Sequence, residues 1–135
     1  MTETYQPMLS EEQPGVLRFG GARMVMLDIG AGFWGLRRQI EALIGPRLAD
    51  SVLQQAGANG GASFARAFAG SAGDAQALRD CIAAYQAAGF GQFEIEALQW
   101  PIGRVLVRAY QVFEAWAVQQ HGQSPESPVC AYTAG

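Results

Sequence analysis

Alternation and periodicity divide the chain into strand-like and helix-like blocks. Val16–Phe19 and residues 24–28 are short apolar runs on either side of Gly20-Gly21, a pair suited to a two-residue turn, and so predict a β-hairpin. From about residue 31 the period changes. Phe33, Leu36, Ile40, Leu43 and Ile44 recur at spacings of three and four, with Arg37, Arg38 and Glu41 between them, which predicts an amphipathic helix with both arginines on its wet side. Gly45-Pro46 ends that helix and starts another, since proline fits a first helical turn. The second helix carries Leu48, Val52, Leu53 and Ala56, then meets Gly57, Gly60 and Gly61. Each glycine costs roughly 1 kcal/mol in a helix interior, so the helix either breaks there or packs very closely against a neighbour. Phe64 and Phe68 resume the helical spacing.

Residues 70–73 read as a loop, and Asp74 as the N-cap of a third helix with Leu78, Cys81, Ile82 and Tyr85, closed by Gly89. Residues 91–98 alternate strictly between polar and apolar, a half-buried strand. Trp100-Pro101-Ile102-Gly103 makes a turn, and Val105, Val107 and Ala109 form one face of an opposing strand. Residues 110–118 are aromatic-rich and fit either strand or helix; 122–128 form a polar loop, and 129–135 open another element. The order β-β-α-α-α-β-β groups strands with strands and helices with helices. It predicts an α+β fold in which an antiparallel sheet packs against a group of helices in a single domain, residues 15–135, behind a flexible leader, residues 1–14.

Composition supports a core and narrows the chemistry. The chain has 135 residues, 50% hydrophobic and 16% charged, enough for one domain that buries roughly two-thirds of its unfolded surface. The formal net charge of −3 speaks against direct nucleic-acid contact, which calls for a concentrated basic face. All nine cations are arginines. With no lysine there is no Schiff-base chemistry and no phosphate-cradling lysine of a P-loop. Cys81 and Cys130 do not make a disulfide framework, and Cys81 in its helical pattern reads as a small core residue. Residues 1–14 lack the basic and apolar regions of a secretory signal, and the apolar stretch 24–36 is interrupted by Asp28 and too short for a membrane span. The expected location is the cytoplasm.

Gly30-Ala31-Gly32-Phe33-Trp34-Gly35 is a formal G-x-G-x-x-G between a strand-like run and a helix, and residues 26–32 resemble the first motif of S-adenosylmethionine-dependent methyltransferases. Two readings stand: a nucleotide- or S-adenosylmethionine-dependent enzyme using the Gly30–Gly35 loop, or a glycine-rich strand-to-helix junction. The first requires a second parallel strand ending in an acidic residue about 20 residues on. The candidate, Asp50, falls in a helical pattern with no strand before it, and the junction reading is preferred.

Read as strand, turn and helix, residues 23–68 resemble the N-terminal sensor segment of aromatic-responsive activators of the XylR kind. The matching residues are Leu36-Arg37-Arg38-Gln39-Ile40, Ile44-Gly45 and Gly57 through Gly61. Gly89-Phe90-Gly91, Phe113-Glu114-Ala115 and Pro128-Val129-Cys130 are similar to the 4-vinyl-reductase-type small-molecule-binding domain that completes such sensors. The resemblance implies a regulatory domain, without DNA-binding or ATPase segments of its own, that encloses a small hydrophobic or aromatic molecule and forms homodimers. It also implies zinc in phenol-sensing relatives, held by cysteines and a glutamate around the Pro-Val-Cys motif. Cys130 matches one of those cysteines, but Glu126 is displaced by a residue and no further cysteine stands nearby. One thiolate and one displaced carboxylate do not fill a tetrahedral zinc site, so no cofactor is firmly expected. The glycine-rich helix that follows the cysteine in such domains is cut short at Gly135, as in a C-terminally truncated domain or a shortened member of the family.

The candidate ligand-contacting residues are the aromatics Phe33, Trp34, Phe64, Phe68, Tyr85, Trp100, Phe113 and Trp116, with Phe90 beside them. Trp34 and Trp100 stand at element ends, where the indole N–H can find a partner. The single histidine, His121, reads as solvated in a polar loop. Glu94 and Glu96 share one strand face and read as a solvated surface rather than a catalytic pair. A purely structural dimerisation module, with the aromatics between subunits, is the remaining alternative.

Overall fold

The computed structural model describes residues 8–66, 74–123 and 130–135. The strands are β1 (Leu9–Gln13), β2 (Val16–Phe19), β3 (Ala22–Met24), β4 (Gln92–Gln99) and β5 (Arg104–Tyr110). The helices are α1 (Trp34–Ile44), α2 (Pro46–Ala65), α3 (Asp74–Ala87), α4 (Phe113–Gln120) and α5 (Ala131–Ala134). A single π-helical turn, Ile29–Phe33, leads into α1, and a 3-10 turn, Trp100–Ile102, joins β4 to β5. Among the described residues all strand pairing is antiparallel, so the α+β class holds, with the strands divided between two small sheets. No described helix is long and apolar enough to cross a membrane.

The chain divides into two units. The first comprises residues 1–25 and 63–111. In it β1, β2 and β3 form a three-stranded sheet in sequence order, and β4 and β5 form a hairpin. The β2–β3 turn is the Gly20-Gly21 pair, with φ of 57° and 85°, the left-handed backbone a primed hairpin turn requires. The second strand of that hairpin ends at Met24, so 25–28, expected to continue it, do not. The expected leader is corrected at its end: Leu9–Gln13 is β1, paired with β2. Its sequence, Leu-Ser-Glu-Glu-Gln, carries no alternation because the strand is exposed on both faces. Residues 1–7 lie outside the described residues. The core of this unit gathers Phe19, Phe64, Cys81 and Ala84, with Met8, Met24, Tyr85 and Ala87 packed around them.

The second unit comprises residues 26–62 and 112–135. Its core is Phe33, Leu53 and Ala131, flanked by Ile29, Ile40, Phe113 and Tyr132. α2 runs unbroken through Gly57, Gly60 and Gly61, and the structure selects the close-packing alternative. A Cβ at Gly57 would overlap the carbonyl oxygen of Tyr132, and one at Gly60 would come within 2.9 Å of the Tyr132 hydroxyl. The glycines are the space into which α5 is pressed. The open question over 110–118 is settled by Gln111, which adopts a positive φ of 56° and turns the chain from β5 into α4.

Candidate functional site

The glycine-rich loop is engaged by its own surroundings. Asp28 caps the π-turn, accepting the Gly30 N–H on Oδ1 at 3.0 Å, while the Phe33 N–H reaches the Asp28 carbonyl at 2.9 Å. The Gly30 carbonyl accepts from His121 Nε2 at 2.8 Å. The His121 ring lies stacked on Trp34, centroids 4.4 Å apart and planes 9° from parallel, and the Arg38 guanidinium sits 5.8 Å from the Trp34 ring. The Trp116 ring covers Gly30, and Leu27 lies against Gly32. α1 and α2 are joined by Gly45 alone, so the second parallel strand that a dinucleotide loop needs is not formed. The loop is a junction. His121, expected to be solvated, is exposed yet docked on both a ring and a carbonyl, a contact across 91 residues that no local pattern signals.

Beside this junction the second unit carries a polar interior. Arg37 is only 8% exposed, correcting its expected place on the wet side of α1. Its guanidinium bonds Glu41 at 3.1 Å and approaches Asp50 of α2 at 3.7 Å, so the buried charge is compensated from two helices. Arg38 stays outside and pairs with Glu41 at 3.0 Å. Glu114 is 0% exposed. Its carboxylate accepts the N–H of Tyr132 at 3.1 Å and of Thr133 at 2.7 Å, together with the Thr133 hydroxyl at 2.6 Å, supplying the first turn of α5 with the acceptor that free helical N–H groups need. The signal available in the sequence was a lone acid inside the apolar run Val112-Phe113-Glu114-Ala115-Trp116-Ala117-Val118, since a charge there requires partners.

Cys130 precedes α5. Burial first, and then the negative charge of Glu114, push its thiol pKa up, against smaller opposing effects of an Ala115 backbone hydrogen bond and Arg37. Among the described residues no group of three or more His, Cys, Asp or Glu is placed to hold a metal. The acid beside Cys130 has both oxygens committed to α5, so the described residues do not fit a closed zinc site. Glu126 lies outside the described residues.

The predicted aromatics separate into groups. In the second unit Phe33 meets Phe113 edge-on at 5.0 Å, and Phe113 meets Tyr132 edge-on at 6.3 Å. In the same unit Trp116 lies against Gly30 with 43% of its surface exposed, and Trp34 is linked to Gly30 through His121. In the first unit Phe64 lies between Phe19, stacked at 5.6 Å, and Tyr85, tilted at 4.7 Å; Tyr85 continues edge-on to Phe90 at 4.7 Å. Offset and edge-on pairs of this kind suit the ring quadrupoles. Trp100, 44% exposed at the hairpin tip, has no described ring neighbour. Phe68 lies outside the described residues. Phe19 and Tyr132 were not anticipated; each joins its cluster through a contact distant in sequence.

No protein-family model matches the chain, and no curated protein matches it in sequence. Solved structures do. The phenol-responsive sensory domain of the transcription activator PoxR, determined with phenol, superposes with a TM-score of 0.81 at 16% sequence identity. The match covers 98% of this chain and 69% of that one. At that level of identity the two share a fold.

Proposed function

We propose that this chain is a regulatory sensor domain that takes a small hydrophobic or aromatic molecule into an apolar site and transmits its occupancy to a partner or an attached domain. The observation that carries this reading is the shared fold over nearly the whole chain with a domain solved with phenol. Two clusters of edge-on and stacked aromatic rings supply the surface chemistry such a guest needs. The side chains proposed to contact it are Phe33, Trp34, Phe113 and Trp116 of the second unit, or Phe64, Tyr85 and Trp100 of the first, with Phe68 a candidate from the sequence alone. The finer assignments, a 4-vinyl-reductase-type domain acting in the cytoplasm as a homodimer, belong to the same proposal and rest on the sequence motifs.

Ligand binding to the folded state alone raises stability by mass action. At a hundred times its Kd a ligand contributes about 2.7 kcal/mol, which lifts Tm by roughly 10 °C in a domain of this size. A thermal-shift panel of phenols, alkylbenzenes, fatty acids and tetrapyrroles should show such a rise for one chemical class. A melting temperature indifferent to every compound would remove the proposal.

A further inference from the structure

The turn that opens α1 gives one of its carbonyls to a distant side chain. In an α-helix each N–H bonds the carbonyl four residues back, so the partner of the Trp34 N–H would be Gly30. The Trp34 N–H instead reaches the carbonyls on either side of it, Ile29 and Ala31, and the Phe33 N–H reaches five residues back to Asp28 at 2.9 Å. The Gly30 carbonyl accepts from His121 Nε2 at 2.8 Å. A π-turn of this kind is a helix with one residue inserted; such turns are rare and frequently mark functional sites.

His121 is brought to that carbonyl by its own helix. It closes α4, its N–H returning to the Val118 carbonyl at 3.2 Å, and Gly122, with a φ of 71°, leads the chain away. Its ring rests on Trp34, the first residue of α1. Every member of the arrangement lies in the second unit.

Two sets of hydrogen bonds are open to the same residues. In the observed set Phe33 bonds Asp28, Trp34 bonds Ile29 and Ala31, and His121 bonds Gly30. In an α-helical set Phe33 would bond Ile29, Trp34 would bond Gly30, and the imidazole would turn to water. Both sets satisfy the Phe33 and Trp34 donors, so the His121 bond is what separates them. One net hydrogen bond shifts the ratio of two such forms about fivefold.

We infer that the Gly30 carbonyl is a two-position switch, held in its π setting by His121. Withdrawal of His121 hands the carbonyl to the Trp34 N–H, removes the inserted residue from the turn and carries Asp28 and Ile29 about 100° around the axis of α1. The end of α4, the helix that also carries Glu114, thereby sets the register at the start of α1. The switch goes beyond the sensor reading and operates without a guest.

Scalar couplings across hydrogen bonds, measured by NMR on the isotope-labelled whole chain, read which carbonyl the Trp34 N–H uses. His121→Phe keeps a ring for Trp34 and loses the donor, and His121→Ala loses both. His121 is exposed, so neither change disturbs a core, and circular dichroism establishes that each variant is folded. In the wild type the Trp34 N–H should couple to Ile29 and Ala31. In both variants the coupling to Gly30 should grow, with the ratio of α-helical to π form raised about fivefold or more. A wild-type coupling to Gly30 as strong as in the variants, or the wild-type pattern retained in either variant, overturns the switch.

Discussion

One oxygen of Glu114, Oε1, holds Thr133 twice, accepting its backbone N–H at 2.7 Å and its hydroxyl at 2.6 Å. α5 is four residues long, far too short to form unaided, so its position depends on this buried acceptor on one side and on the glycine surface of α2 on the other. In the second unit the C-terminal turn is thus tied to α4 by hydrogen bonds and to α2 by close contact.

Replacing Glu114 tests the first tie. Glu114→Gln puts an amide against N–H donors and should destabilise the chain by about 2 kcal/mol, and Glu114→Ala, which leaves several buried donors unsatisfied, by about 3 kcal/mol or more. Urea unfolding at unchanged m-value measures both. Losses under about 0.5 kcal/mol would mean the α5 donors find water instead.

Gly57 and Gly35 make a matched pair for the second tie. Both lie in helices, where alanine is intrinsically better than glycine by about 1 kcal/mol. At Gly35 a Cβ meets open space, so Gly35→Ala should stabilise by most of that amount. At Gly57 the same methyl overlaps the Tyr132 carbonyl, and Gly57→Ala should destabilise by about 2 kcal/mol despite the propensity gain. Chemical unfolding of the two variants should therefore shift in opposite directions; a shift in the same direction would contradict the packing of α5 on α2.

The parts legible in the sequence are those written in local pattern. Strict alternation marked β4, Trp100-Pro101-Ile102-Gly103 marked the 3-10 turn, and the period of Phe33, Leu36 and Ile40 marked α1. β1 escaped because a doubly exposed strand of Leu-Ser-Glu-Glu-Gln has no apolar face to reveal it. Arg37 was misplaced because a guanidinium beside an apolar stripe looks solvated until Asp50, a residue of the next helix, is seen to meet it. The candidate site was legible in its residue types and not in its grouping. Phe64 and Tyr85 fall in one unit and Phe33 and Phe113 in the other, and helical spacing is blind to that division.

The thiols give a pH dependence. Burial raises the pKa of both Cys81 and Cys130 above the ordinary 9.0. A raised thiol favours the protonated form in the folded chain, so its contribution to stability is whole below pH 9.0 and is lost as pH climbs through the folded-state value. Iodoacetamide should accordingly modify the native chain much more slowly than the urea-unfolded chain at pH 8, with the gap persisting in a Cys81→Ser variant that reports Cys130 alone. Equal rates for native and unfolded chain would contradict the burial of Cys81 and the partial burial of Cys130.

Isothermal titration of the purified chain with phenol and with alkyl-substituted benzenes, against cyclohexanol as a non-aromatic match in size, tests the sensor reading most directly. The expected result is saturable binding of an aromatic compound, a negative heat-capacity change from burial of apolar surface, and much weaker binding of cyclohexanol. Linear heats for every aromatic compound, indistinguishable from dilution, would contradict it.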